Sequence, residues 1–245
     1  MTADLLPLIP IFFIIAILYS SAGFGGGSSY LAVLALFPIE YSSLRVIALT
    51  CNIIVVAGAV FLFYKNDLIP YEKVWPLVIL SIPMAFLGGY IHLDEKIFFV
   101  ILGIILIFAA LSMLIKVKKE VKRLPPYTNG IIGGGIGFLS GMVGIGGGIF
   151  LSPVLYLSRW NVPKAIAATT SLYILVNSVA GLAGQFSSGN ITVDITLLTS
   201  LGLSVFLGGQ IGSRLTVFRL EPSLVKKISA MLILFVGIRI LYQNM

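Results

Sequence analysis

From residue 97 to residue 115 the chain reads I-F-F-V-I-L-G-I-I-L-I-F-A-A-L-S-M-L-I, an apolar run without one charged side chain. A helix needs about 20 such residues to cross the hydrocarbon of a bilayer. Runs of similar length lie at 45–64 and 74–91, then again at 164–186, 194–213 and 224–242. A chain that is 58% hydrophobic and only 10% charged, where a soluble domain carries about 25% charged residues, has too little polar surface to stay dissolved. The reading is an all-α polytopic membrane protein with lipid as the solvent for nearly its whole length.

Several function classes fall away at once. Cys51 is the single cysteine and His92 the single histidine, so no disulfide framework, thiolate cluster or histidine metal site is expected, and no cofactor. The net charge of +7 comes from loop residues beside apolar spans, with no stripe of interleaved aromatics; headgroup contact explains it better than nucleic acid. Residues 1–10 carry no Lys or Arg before their apolar run and no convincing cleavage site after it, so they read as a retained part of the domain.

The chain repeats itself. S-A-G-F-G-G-G-S-S-Y-L around Gly23 parallels G-M-V-G-I-G-G-G-I-F-L around Gly144, a shift of 121 residues. R-V-I-A-L-T from Arg45 parallels K-A-I-A-A-T from Lys164, and F-L-G-G-Y-I at Phe86 parallels F-L-G-G-Q-I at Phe206. Three matches in the same order imply an internal duplication. The halves are residues 1–116 and 129–245, and the basic segment 117–128 joins them, its Pro125 and Pro126 ending any helix.

Each half holds three clean spans and one apolar stretch interrupted by glycines, 5–37 and 130–157. If these stretches dip in and return, one face receives Lys65, Lys73, Lys116, Lys118, Lys119, Lys122, Arg123, Arg159, Lys164, Arg214, Arg219, Lys226 and Lys227. The other keeps Arg45, Lys96 and Arg239. A single crossing would destroy that bias, so the returning form is expected. Three spans per half then turn the second copy upside down: two inverted-topology repeats, each a re-entrant, broken helical hairpin plus three transmembrane helices. Both termini lie outside the cytoplasm, the setting in which transporters bind cargo at the midplane.

The interruptions, G-F-G-G-G-S-S at 23–29 and G-I-G-G-G at 144–148, suit tight turns. Backbone at that depth must be buried in protein or line a wet cavity. A half-helix starting after each turn would aim free N–H groups and a positive dipole end into it, a cradle for an anion. Gly133, Gly137 and Gly141, at four-residue spacing, read instead as a helix-packing face. No Gly-Lys-Ser/Thr follows either turn, which excludes a nucleotide loop.

Candidate substrate-binding residues are Ser20, Ser21, Gly25, Gly26, Gly27, Ser28, Thr50, Asn52, Gly146, Gly147, Gly148, Thr170, Ser171 and Asn177. Buried polar groups in a span are expensive unless paired or wet. Hydroxyls can bond their own helix, but the amides of Asn52 and Asn177 are harder to satisfy. Gln185 and Gln210 lie nearer span ends, and an interfacial role is expected. No Asp or Glu falls in the middle of a proposed span, so neutral donors and helix dipoles favour an anion over a cation. For Arg45, Lys164 and Arg214 the default account is snorkelling to headgroups.

The paired G-x-G-G-G turns, each followed by an apolar half-helix and an R/K-x-I-A-x-T span start, resemble the sulfite exporter TauE/SafE family. The resemblance covers nearly the whole chain. It implies a prokaryotic plasma-membrane transporter, with no enzymatic activity, that exports small sulfur-containing oxyanions such as sulfite or organosulfonates. It points to Gly23, Gly25, Gly26 and Gly27, to Gly144, Gly146, Gly147 and Gly148, and to the Thr50 and Thr169 segments. Ser28 and Ser29 follow the first turn where Ile149 and Phe150 follow the second, so the first is expected to supply more hydroxyls. The alternatives are a membrane scaffold without transport and an intramembrane serine hydrolase, for which Ser20, Ser21, Ser28 and Ser140 lack a nearby base.

Overall fold

The computed structural model describes residues 5–21, 24–114, 126–158, 160–189, 193–215 and 222–244. Among these residues every regular element is a helix. In the first half they are α1 (Leu8–Ser21), α2 (Gly27–Leu34), α3 (Tyr41–Lys65), α4 (Tyr71–Tyr90) and α5 (Glu95–Leu114). In the second they are α6 (Pro126–Val143), α7 (Gly148–Leu157), α8 (Pro163–Ser187), α9 (Ile195–Leu215) and α10 (Pro222–Asn244). Five have the length and apolarity to cross a membrane, within α3, α4, α5, α8 and α9. α10 is helical over 23 residues. Pro126 opens α6, where a proline lacks only an N–H that the first turn leaves unbonded anyway; Pro125 lies outside the described residues.

The distribution of side chains is inverted relative to a soluble bundle. Ile79, Phe108, Leu203 and Phe235 point outward, more than 60% exposed, while Asn52, Thr169, Thr170, Ser171 and Asn177 are buried. Lipid tails accept the first set, and protein partners must satisfy the second.

Helix packing survives exchange of the two halves. α1 packs on α9 as α6 packs on α4; α2 lies on α3 and α10 as α7 lies on α8 and α5; α3 meets α8, and α5 meets α10. The α6–α4 contact runs at backbone distance. Gly133, Gly137 and Gly141 face Leu77, Ser81 and Ala85, and a methyl group on Gly137 would come within 2.6 Å of the Ser81 carbonyl. The glycine ladder is thus a packing face. Its residue order shows α6 running parallel to α4. α1 runs parallel to α9 in the same way, with Phe13 and Ile17 against Gly208 and Gly212.

Candidate functional site

At residue 26 and again at residue 147 the chain takes a left-handed conformation, φ 88° and 82°, and starts a new helix. Gly144 and Gly146 do the same at φ 89° and 79°, values that side chains with a Cβ resist. Residues on the two sides of each turn come together. A Cβ on Gly26 would meet Ile15 at 3.2 Å, and one on Gly147 would meet Ile136 at 3.1 Å; both partners sit eleven residues upstream, and both pairs differ by 121. The turns close alike, with Phe24 N donating to Tyr19 O at 2.9 Å and Ile145 N to Ser140 O at 3.1 Å. In the first hairpin the Phe12 and Tyr30 rings stack with centroids 4.7 Å apart, and Tyr19 and Ser29 share a hydroxyl bond of 2.6 Å.

The two turns meet at Asn52. Its Oδ1 accepts from Gly27 N, the first amide of α2, at 3.2 Å. Its Nδ2 donates to Ile145 O in the other turn at 3.1 Å and to Ser178 on α8 at 3.2 Å. Side chains on Gly25, Gly27 or Gly146 would strike this amide, which explains the glycines at those positions. Of the two settings expected for the turns, burial in protein is the one found: all of Gly25, Gly26, Gly27 and Gly144 to Gly148 are buried. Beside Gly25, Gly27 and Gly146 the space is taken by the Asn52 amide, which bonds the leading N–H of α2 that an anion would seek.

The other candidates distribute around this centre. Ser20 and Ser28 are buried, and Ser21 donates to Leu18 O of its own helix at 2.7 Å. Thr170 lies within van der Waals reach of Gly148, its hydroxyl buried without a partner. Ser171 is fully buried, and Thr50 is half-buried. Asn177 donates to Tyr173 O at 2.9 Å, leaving Oδ1 unbonded. Gly23 falls outside the described residues. Gln185 is buried, not interfacial, with Nε2 unpartnered. His92 is exposed in the link after α4.

Sequence reasoning misjudged Arg45. It does not snorkel: only 5% of the residue is exposed. Its Nη2 donates to Gly88 O, Gly89 O and Gly141 O at 3.3, 3.1 and 3.2 Å, and Nη1 to Ile91 O at 3.4 Å. These carbonyls end α4 and α6, where the last turn has no donors of its own and the dipole is negative. The only sequence signal was an Arg opening a span whose counterpart is Lys164, and Lys164 is exposed. An open groove of about 600 Å³ lies near the start of α3, but its polar lining is Glu40, Ser43 and Asp194, unsuited to an anion.

The profile of the sulfite exporter TauE/SafE family matches residues 8–240. The chain belongs to that family. A Sinorhizobium fredii protein named probable membrane transporter is 33% identical over 238 residues, covering 94% of this chain and 96% of its own. Similarly named proteins of Methanocaldococcus jannaschii (26% identical, 86% and 88% covered) and Bacillus subtilis (28%, 89% and 92%) match as well. No solved structure matches. Membership makes this TauE/SafE protein an integral membrane transporter and not an enzyme, with a small anion as its class of substrate.

Proposed function

We propose that this TauE/SafE protein is a secondary transporter that exports small sulfur-containing oxyanions, sulfite or organosulfonates, across a prokaryotic plasma membrane by alternating access. Residues 1–116 and 129–245 form two inverted repeats joined by a cytoplasmic linker, 117–128, with both termini outside. The antiparallel contacts of equivalent helices support this: Leu49 lies against Gly181 and Asn52 against Ser178 between α3 and α8, and Gly103 lies against Leu241 and Ile107 against Gly237 between α5 and α10. Lys65, which ends α3, and Lys73, in the first turn of α4, are exposed and mark the cytoplasmic side, where Lys73 sits 5.8 Å over the Trp160 ring of the α7–α8 link.

The observation that carries the reading is the contact of two left-handed glycine turns at one buried amide. Each turn heads a short helix, and the first presents its leading amide, Gly27 N, to the Asn52 side chain. In the closed arrangement Asn52 Oδ1 takes the place of an anion oxygen on Gly27 N. Withdrawal of that amide frees the N–H for cargo, with Ser28 directly after the first turn and Thr170 beside Gly148.

Proteoliposomes holding the purified protein should take up labelled sulfite or a small sulfonate, and Gly26→Leu or Gly147→Leu should abolish uptake. Absence of transport for every oxyanion tried overturns the proposal.

A further inference from the structure

We propose that Arg45 is the charge-recognising residue of this pathway, binding the oxyanion beside the second glycine turn in exchange for the carbonyls that hold it in the closed arrangement. The inference deepens the oxyanion-transport reading and rests on it.

A guanidinium has five N–H donors. Here the two hydrogens of Nη2 are divided among three carbonyls, Nη1 makes one long bond of 3.4 Å, and Nε has no partner although it is buried. Its four bonds all go to main-chain carbonyls. A buried cation held only by carbonyl dipoles is under-compensated, and an oxyanion supplies both the missing charge and an acceptor for Nε–H. Charge-assisted bonds of that kind are about twice as strong as neutral ones.

The position fits the role. Arg45 and Asn52 stand seven residues apart on α3, two helical turns along one face. Asn52 grips Ile145, while the Arg45 stem runs alongside Gly144, whose added Cβ would touch Arg45 Cα, Cβ and Cγ at 3.0 to 3.3 Å. One helix face thus flanks the second turn with a cation and an amide. When the anion takes the guanidinium, Gly88, Gly89 and Gly141 lose their donor, and the ends of α4 and α6 come apart. Cargo binding and release of this contact are then one event.

Sulfite uptake by wild type, Arg45→Lys and Arg45→Gln in proteoliposomes tests the idea. Lysine keeps the charge without the fork, so its apparent KM should rise about 10-fold, and glutamine should cost about 100-fold in uptake at low sulfite. An unchanged KM in either variant overturns the inference while leaving the transport reading intact. Should the variants fail to fold, or the wild type transport nothing, hydrogen exchange on the wild type decides. Saturating sulfite should speed amide exchange at 88–91 and 141–146, and no change there overturns the role of Arg45.

Discussion

The same span start is used in opposite ways by the two halves. In the first, α3 turns Arg45 and Asn52 inward, one onto the ends of α4 and α6, the other onto both glycine turns. In the second, the corresponding positions on α8 are Lys164, which is exposed, and Ser171. At these positions the polar contact to both turns comes from α3. The retained symmetry lies in the backbone, where glycines repeat; the lost symmetry lies in the side chains that reach across.

That contrast can be broken in graded steps. The largest effect is expected at the feature both halves keep: leucine at Gly26 or at Gly147 forces a left-handed residue, costing about 1–2 kcal/mol before any collision, and drives a side chain into Tyr30 or Tyr173. Uptake should fall below the detection limit in both. Asn52→Ala comes next. It strands Gly27 N and Ile145 O in the interior, about 1–3 kcal/mol for each, and thermal unfolding in detergent should show the loss; Ser171→Ala should cost about 1 kcal/mol. Equal losses for the two would refute the asymmetry.

Gly137→Ala is expected to lower stability by about 1–3 kcal/mol through overpacking against Ser81, without changing the apparent KM. The smallest effect belongs to Lys164→Gln. As an exposed charge it should alter stability by no more than about 0.5 kcal/mol and leave sulfite uptake near wild type, in contrast to Arg45→Gln.

How much of this was readable from residue order follows from where each interaction resides. The glycine turns were legible because positive φ selects one residue type, and the shift of 121 reappears as Gly26 against Ile15 and Gly147 against Ile136. The packing ladder Gly133, Gly137, Gly141 was legible for the same reason. Arg45 was not, since its partners are main-chain carbonyls, which every residue possesses and no sequence pattern announces. Gln185 went the same way: near a span end it looked interfacial, but helix packing buried it. The link between the turns was only half legible: the repeat implied that both face one site, but not that one side chain, Asn52, bonds the two.

Asn52 has a mechanical consequence. A single side chain that bonds both turns works like one pin through two hinges: neither can swing without shearing hydrogen bonds at the other. Tightening the pin would slow both openings together, so resting-state stability and turnover rate should trade against each other at this residue.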